Sequence, residues 1–471
     1  MKRNAFSVIM ATNKENAIWK EAVEAETSTF KQNKGRRKAP FYKVLQGMPI
    51  AVDAFRYGKI PGVTAYFLTH AHSDHYTNLS SKWANGLIYC SQETADLIIH
   101  VLNVDPKWVK PLQNDVPTTI PSTGGVRVTV IEANHCPGSS IFLFEGLQTA
   151  NAGDGSFTSP FIGSSRTFRY LHCGDFRASP RHVLHPAIKG KNLNHVYLDT
   201  TYLDPKYTFP PQPQVIAACA ELAQRLSTLY SHSKGPGNDV QASTVSCTGV
   251  APKSLGKTLV VIGSVSTLLP ERWTYSVGKE RVVGAVAKRL GAKVYCDARK
   301  AGVLRCQSDP ELIAMLTSDP REACVHIVPL SLISAERLKG YADSWRDTFT
   351  RVVGLRPTGW TFSPPSGAGL VTDISSMLTK AQHRQFTWQD LRQMKGSNVN
   401  LQVYAVPYSE HSSFFELTCF ALSVEWEKMI ATVNIGSEAS RAKMNRWFDC
   451  WKKEKAKRNE HIVQYRDIDY W

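Results

Sequence analysis

A dense group of metal-ligand residue types stands at 69–75, where the sequence reads Thr-His-Ala-His-Ser-Asp-His. In extended or turning backbone, residues two apart can face the same way, so His70 and His72 can share one ion. Asp74 and His75 would then turn toward a second ion. Neutral imidazoles and carboxylates at this spacing favour zinc, with manganese or iron as alternatives. The segment therefore predicts a binuclear metal site.

Further ligands must come from elsewhere in the chain, because one short segment cannot complete two coordination spheres. Three candidates stand where predicted strands end: His135 in EANHCPGS, Asp175 in LHCGDF and His411 in PYSEHSS. Side chains at such ends tend to reach a shared rim, and the two oxygens of Asp175 allow it to bridge two ions. Cys136 and Cys173 stand nearby, but a buried cysteine is more often a small apolar residue. Asp53, in an apolar strand, is predicted to hold a ligand loop in place.

The elements that must position these side chains are short strands and amphipathic helices. Predicted strands dominate residues 1–200, with a capped helix at 91–103. From 212 onward, helical patterns alternate with strand-like runs, which is typical of a separate α/β unit. The residues from 401 resemble the first region again. Three polar segments are predicted to be disordered surface insertions: 147–166, 232–257 and 364–384.

Composition limits the class of protein. The 471 residues are 42% hydrophobic and 20% charged, which is an ordinary globular composition of two or three domains. No run approaches the ~18 apolar residues of a spanning helix, so we expect a soluble protein with no membrane partner. Ten scattered cysteines without a CxxC pair indicate a reducing compartment. The net charge of +16 favours a polyanion such as nucleic acid, although a dispersed basic surface is the alternative.

With these motifs in this order, the sequence resembles the metallo-β-lactamase superfamily and, within it, the β-CASP branch of nucleic-acid nucleases. Four further segments are similar to the DNA cross-link repair nucleases, the group that also contains Artemis: KRNAFSVIM, NKENAIWKEA, APFYKVLQGMPIAVDAF and YSVGKERV. The resemblance implies an α/β fold, an αββα sandwich with an inserted α/β β-CASP domain. It implies a first part of the metallo-β-lactamase domain at 1–200, a β-CASP domain with polar insertions at 201–400, and a C-terminal metallo-β-lactamase part at 401–471.

The resemblance also implies roles for individual residues. It implies two zinc ions per chain, either of which another divalent metal could replace. The implied ligands are His70, His72 and His135 for one ion, Asp74, His75 and His411 for the other, and Asp175 as the bridge. Asp53 and Asp199 would support the ligands, and Asp199 in YLDTTYLDP would open the insertion. The implied catalytic residues are Asp74, Asp175 and His411.

Two details of the resemblance concern substrate and loop geometry. RNA-processing members of the branch carry another histidine just before a glycine, where this chain has Thr432-Val433-Asn434-Ile435-Gly436, as in the DNA-directed members. One departure is that SVSTLLPERW separates Gly263 from Thr274-Tyr275, which run on directly in related nucleases.

The implied function is a zinc-dependent 5′→3′ DNA exonuclease of interstrand cross-link repair, acting on DNA that is single-stranded or ends in a 5′-phosphate. An RNA-processing endonuclease of the same fold and a catalytically silent nucleic-acid-binding scaffold are the alternatives. The residues predicted to bind phosphate are Ser409, Ser412 and Ser413, beside the start of a predicted helix, and Lys279. Helix capping by the serines and a solvated lysine are the simpler interpretations.

Location and assembly follow from the same function. The proposed substrate and the basic runs KGRRK at 34–38 and KKEKAKR at 452–458 favour a nuclear protein, although such runs are also common on solvated surfaces. We expect a monomer, and the sequence names no repair partner.

Overall fold

The computed structural model describes residues 17–26, 36–155, 158–228, 257–264, 266–269, 272–275, 277–359, 374–381, 385–458 and 460–471. Its strands are β1 (Ile50–Val52), β2 (Ala65–Phe67), β3 (Leu87–Cys90), β4 (Val109–Pro111), β5 (Thr118–Thr119), β6 (Arg127–Glu132), β7 (Ser140–Leu147), β8 (Thr167–His172), β9 (Asn192–Leu198), β10 (Lys257–Ser264), β11 (Ser266–Leu269), β12 (Arg272–Tyr275), β13 (Lys293–Tyr295), β14 (Leu316–Thr317), β15 (Ala323–Pro329), β16 (Phe349–Pro357), β17 (Arg392–Gln393), β18 (Leu401–Val406) and β19 (Glu425–Ala431).

The helices are α1 (17–26), α2 (Gln92–Leu102), α3 (Pro180–Leu184), α4 (Gln212–Thr228), α5 (Glu280–Leu290), α6 (Ala298–Arg305), α7 (Pro310–Met315), α8 (Ala335–Asp343), α9 (Ile374–Ala381), α10 (Phe414–Ser423) and α11 (Glu438–Lys455). Among the residues described, no helix combines the length and the apolar character that crossing a lipid bilayer requires.

Two sheets form a sandwich. One is the parallel sheet β1-β2-β3-β4, and the other has the order β19-β9-β8-β7-β6-β5. Between them, the ring centroid of Phe67 lies 5.1 Å from that of Phe142 and 5.0 Å from that of Phe144. Helix α2 packs on the outer face of the first sheet, and α10 and α11 pack on the outer face of the second. The predicted αββα arrangement is confirmed.

Strand β7 shows why this sequence makes a two-sided sheet. Side chains alternate between faces along a strand. Phe142 and Phe144 accordingly lie in the core between the sheets, whereas Ile141 and Leu143 lie in the core beneath α10 and α11. Apolar residues at every position of 141–144 therefore fit a strand that is buried on both faces.

The inserted unit contains a seven-stranded sheet with the order β14-β13-β15-β10-β16-β18-β17, parallel except for β17. Helices α4 and α5 pack on one face and α8 on the other. Strand β18 pairs with β16, so residues 401–406 lie in this sheet and not in the sandwich. From the sequence we expected these residues in the sandwich, because the residues of a strand do not show which strands it pairs with. The predicted three-part division stays a prediction, with its second boundary now expected after Val406.

The predicted polar insertions differ from one another. Within 147–166, Asp154 accepts hydrogen bonds from Arg36 and from the Ala39 N–H, which orders a segment that the sequence predicted to be disordered. Residues 232–256 lie outside the described residues. Of 364–384, only helix α9 is described.

The departure at SVSTLLPERW has a simple backbone explanation. Strands β11 and β12 pair antiparallel, with Ser266 opposite Tyr275 and Leu269 opposite Arg272. Those extra residues that the structure describes thus lie mostly in two paired strands.

Candidate metal centre

The predicted ligands follow the carboxyl ends of strands in both sheets. The 69–75 segment follows β2, His135 follows β6, and Asp175 follows β8. Asp53 and Asp199 follow β1 and β9 in the same way. Strands that run in the same direction end at one edge of their sheet, so these side chains share a rim of the sandwich. His411 reaches that rim from the segment between β18 and α10.

Asp175 lies at the centre of the cluster. Its Oδ2 is 3.2 Å from His75 Nε2, 3.8 Å from His70 Nε2, 3.9 Å from His135 Nε2 and 4.0 Å from His411 Nε2. Gly174, at φ +57°, makes this approach possible, because a Cβ there would lie 2.7 Å from the Thr69 side chain. The loop of Asp175 therefore packs directly on the loop of the histidine motif.

His72, the remaining predicted histidine ligand, contacts two other rings of the cluster. His72 Nδ1 lies 2.9 Å from His70 Nε2 and 3.1 Å from His135 Nε2. Three imidazole nitrogens thus converge on one point, as a shared ion would require. The structure brings together six of the seven predicted ligands: His70, His72, His75, His135, Asp175 and His411.

Asp74 is less closely placed than the other predicted ligands. Its side chain is 77% exposed, and its Oδ2 lies 3.6 Å from His75 Nε2. The groups of potential ligands found among the described residues do not include it. Its roles as ligand and catalytic residue stay predictions.

Carboxylates hold the far ring nitrogen of two histidines. His75 Nδ1 lies 2.7 Å from Asp53 Oδ2, and His411 Nδ1 lies 2.8 Å from Asp199 Oδ2. Asp53 also accepts from the Thr69 N–H at 2.9 Å and from its hydroxyl at 2.8 Å. The predicted supporting positions of Asp53 and Asp199 match these contacts. Hydrogen bonds of this kind fix the ring and direct the other nitrogen toward a metal.

Main-chain carbonyls hold the far ring nitrogen of two other histidines. His72 Nε2 donates to the Val277 carbonyl at 2.7 Å, and His135 Nδ1 donates to the Glu410 carbonyl at 2.8 Å. These bonds leave His72 Nδ1 and His135 Nε2 as the nitrogens with free lone pairs. The choice of ring nitrogen therefore differs between neighbouring histidines.

The histidines of the cluster differ in the direction in which their surroundings shift the pKa. Burial, reinforced by the neighbouring histidines, keeps the pKa of His70 and of His135 well below the usual value, so both rings are neutral. Burial also acts to lower the pKa of His411, but Asp199 and Asp175 outweigh it and raise that pKa to about 9. Burial would raise the pKa of Asp175, but His75 and His411 hold it well below its usual range. The cluster thus combines the neutral rings of His70 and His135 with an ionised Asp175 carboxylate and with His411, whose pKa the nearby carboxylates raise.

Cys136 lies closer to the cluster than the sequence analysis expected. The ligand atoms of Cys136, His70, His72 and His135 all lie within 4.8 Å of one another. Burial raises the pKa of the Cys136 thiol well above its usual value, as for a cysteine that serves as a small apolar residue. Its place beside His135 in the sequence was the available signal.

The three serines predicted to bind phosphate have protein partners. Ser409 Oγ donates to the His411 carbonyl at 2.9 Å, and Ser412 Oγ donates to the Phe176 carbonyl at 2.8 Å. Ser413 caps α10, where its Oγ accepts from the Glu416 N–H at 3.2 Å. These contacts shape the loop that carries His411, and phosphate binding by the serines stays a prediction.

Two buried ion pairs beside the centre escaped the sequence analysis. Lys279 Nζ lies 3.0 Å from Glu410 Oε2, so the lysine predicted to bind phosphate has a carboxylate partner. Arg177 is fully buried and donates to Glu416 Oε1 at 2.9 Å and to the Ser409 carbonyl at 2.6 Å. Arg177 follows Asp175 by two residues, and Glu410 directly precedes His411, which was the only sequence signal for either.

The chain is similar to known proteins over most of its length. A family model described as DNA repair metallo-beta-lactamase matches residues 310–437. The DNA cross-link repair protein pso2/snm1 of Schizosaccharomyces pombe is 40% identical, covering 93% of this chain and 69% of that protein. The DNA cross-link repair protein SNM1 of Arabidopsis thaliana is 36% identical, covering 89% and 71%. The 5′ exonuclease Apollo of Gallus gallus is 28% identical, covering 83% and 63%.

Proposed function

Because the chain belongs to the Pso2/SNM1 family of DNA cross-link repair proteins, we propose that it is a metal-dependent 5′→3′ DNA exonuclease of interstrand cross-link repair. One observation carries the proposal. Asp175 Oδ2 lies within 4.0 Å of the Nε2 atoms of four histidines from three other segments of the chain. Such a cluster of imidazoles around one ionised carboxylate suits a site for phosphodiester hydrolysis.

We propose zinc as the metal, with two ions per chain. The donor set fits: five imidazoles and the Asp175 carboxylate face one another, and the far nitrogen of each ring is within hydrogen-bond distance of a protein oxygen. One ion would lie among His70, His72 and His135, the other among Asp74, His75 and His411, with Asp175 shared. When bound, a pair of such ions activates water and stabilises negative charge on the phosphate.

The protein residues then have distinct tasks. Asp175 would set the spacing between the two metal positions. Asp199 holds His411 Nδ1, so that Nε2 points into the site. Asp53 does the same for His75 and also accepts from the N–H of Thr69, just before His70. The Asp53 backbone is left-handed, at φ +49°, a strained conformation of the kind that accumulates at functional sites.

The proposed substrate is DNA, single-stranded or with a 5′-phosphate end. The net charge of +16 supports a polyanion. The segment where RNA-processing members carry a histidine adjoins the site, because the Val433 carbonyl accepts from the Thr200 hydroxyl at 2.6 Å, directly after Asp199. An apolar residue there supports the DNA-directed assignment. For the 5′-phosphate we propose the segment that carries Ser409, Ser412 and Ser413, just before α10, together with Lys279.

A nuclear location and a monomeric state are also proposals. The nuclear assignment follows from the DNA substrate more than from the basic run at 452–458. In that run, Lys452 donates to the Glu427 carbonyl and Lys455 pairs with Glu425 at 3.0 Å, so these lysines serve the fold.

The proposed activity can be tested with four labelled substrates. Single-stranded DNA and RNA, each with a 5′-phosphate or a 5′-hydroxyl, are incubated with purified protein and Zn²⁺ or Mn²⁺. We expect a 5′→3′ ladder on phosphorylated DNA and little product from the other three. Internal cleavage of RNA alone would contradict the proposal and favour an RNA endonuclease. DNA binding without cleavage under all conditions would favour a silent scaffold.

A further inference from the structure

The inserted unit reaches the metal centre through a short loop, residues 277–279, just before α5. The Val277 carbonyl accepts from His72 Nε2 at 2.7 Å. Two residues later, Lys279 binds the Glu410 carboxylate twice: its N–H donates to Oε1 at 2.6 Å and its Nζ donates to Oε2 at 3.0 Å. The loop is therefore fixed at one end to a predicted ligand and at the other to Glu410.

Glu410 links this loop to a second ligand. Its main-chain carbonyl accepts from His135 Nδ1 at 2.8 Å, while its side chain holds Lys279. The side chains of Lys279 and Glu410 are 11% and 7% exposed, so water does little to weaken their attraction. One buried ion pair thus lies between the two segments whose carbonyls hold His72 and His135.

The backbone of the loop is shaped for this contact. Gly278 has φ +129°, and a Cβ there would lie 2.8 Å from both carboxylate oxygens of Glu410. Lys279 is left-handed at φ +72°, an uncommon conformation for a residue with a long side chain. Such conformations persist only where surrounding contacts impose them. At Lys279, the two hydrogen bonds to Glu410 are contacts of this kind.

We propose that Lys279 and Glu410 are positioning residues, whose ion pair holds the inserted unit against the metal centre and sets which ring nitrogen the neighbouring histidines present. The inference rests on the proposed metal centre and deepens it. Phosphate binding by Lys279 stays a prediction beside this role. Because coupling between sites is reciprocal, metal binding would in turn stabilise the docked position of the inserted unit.

The test compares two lysines on the same part of the inserted unit. Lys279→Met removes the charge and keeps the aliphatic stem. Lys288→Met is the matched control. Lys288 of α5 pairs with Glu311 of α7 at 3.0 Å, but both side chains are 71% exposed. Zn²⁺ affinity is measured by competition with a chromogenic chelator, and the visible absorption spectrum is recorded after loading with Co²⁺. We expect about 10–100-fold weaker Zn²⁺ binding and an altered Co²⁺ spectrum for Lys279→Met. Lys288→Met should match the wild type, because exposed pairs contribute little.

A double variant separates positioning from simple stabilisation. Removing both buried charges in Lys279→Met with Glu410→Leu relieves the uncompensated carboxylate, so a merely stabilising pair would regain wild-type Zn²⁺ affinity. A positioning pair would not, because the loop is no longer held. Wild-type affinity and an unchanged Co²⁺ spectrum in the single or the double variant would overturn the inference.

The fold of each variant is checked by circular dichroism and thermal unfolding of the metal-free protein. If Lys279→Met does not fold, Glu410→Gln, which keeps the size of the side chain, decides by the same two measurements. None of these measurements uses DNA. A wild-type protein that binds Zn²⁺ but cleaves no DNA would refute the proposed activity alone, whereas wild-type protein that binds no divalent ion would refute both.

Discussion

The metal centre has two halves that differ in what holds the far nitrogen of each histidine. Carboxylates hold two rings and main-chain carbonyls hold two: Asp53 holds His75 and Asp199 holds His411, while Val277 holds His72 and Glu410 holds His135. We call these the carboxylate half and the carbonyl half. In the carboxylate half, charge raises the pKa of the histidines despite burial, whereas in the carbonyl half burial lowers it.

The two halves also depend on different parts of the chain. Asp53 and Asp199 follow β1 and β9, so strands of the sandwich itself support the carboxylate half. The carbonyl half takes one carbonyl from residue 277, next to α5 of the inserted unit, and one from the loop after β18. Both supporting carboxylates of one half thus lie in the sandwich, although His411 itself follows β18. One supporting carbonyl of the other half lies in the inserted unit, so the carbonyl half requires that unit to be docked.

The largest effect is expected where the halves meet. Asp175→Asn keeps the size of the side chain but removes the charge that faces histidines of both halves. Loss of several kcal/mol of charge stabilisation predicts a fall in kcat of about 10³-fold or more. DNA retention, measured by fluorescence anisotropy, should largely survive, because the basic surface is unchanged. Near-wild-type turnover in this variant would show that catalysis does not depend on the Asp175 carboxylate.

A smaller effect is expected within the carboxylate half. Asp199→Asn weakens the hold on His411 and should lower metal affinity about 10–100-fold. The matched control is Asp115→Asn, because Asp115 holds His185 Nε2 at 3.0 Å but lies on the surface. Chelator competition measures both variants, and we expect Asp115→Asn to bind metal as the wild type does.

The combination of Asp199→Asn with Lys279→Met tests whether the halves are independent. If each half holds its own ion, the free-energy effects of the two substitutions add. A double variant no worse than the poorer single variant would show that the two halves act as one unit, and the distinction between them would be lost.

Metal removal tests the comparison without any substitution. A bound ion stabilises the folded protein by about 2.7 kcal/mol when its free concentration is a hundred times its Kd. Thermal unfolding of the wild type, with Zn²⁺ and then with chelator, should therefore show a lower melting temperature without metal. The shift should be smaller for Asp199→Asn at the same Zn²⁺ concentration. Equal melting temperatures with and without metal would contradict a metal centre in either half.

Much of this arrangement could be predicted from the sequence, for physical reasons. His135 and Asp175 stand where predicted strands end, and in the company of the 69–75 segment they could be predicted as ligands together with His70. The structure places all three in one cluster. Asp53 was identifiable because an unpaired carboxylate in an apolar strand is costly. Short apolar strands separated by turn residues predicted a β-rich first region, and the resemblance to the metallo-β-lactamase superfamily implied the sandwich.

The carbonyl half could not be predicted in the same way. Every residue has a main-chain carbonyl, so nothing in the residue type marks Val277 as the partner of His72. The partner of Lys279 lies 131 positions away in the chain, and local charge patterns do not extend so far. Sheet membership of β18 is likewise a long-range property. Local features such as strand ends and ligand residue types could be predicted, whereas partners that only the tertiary structure brings together could not.

The smallest effect is expected for a substitution of Cys136. It tests whether a thiolate binds metal beside the imidazoles of the carbonyl half. Its thiol lies within the cluster of His70, His72 and His135, and burial raises its pKa well above the usual value. If it is only an apolar neighbour, Cys136→Ala should cost about 1 kcal/mol of folding stability from lost packing and leave Zn²⁺ affinity nearly unchanged. Chelator competition and thermal unfolding measure the two quantities separately. A loss of Zn²⁺ affinity as large as that of Lys279→Met would instead make the thiolate a ligand, and the carbonyl half would no longer be built from neutral donors alone.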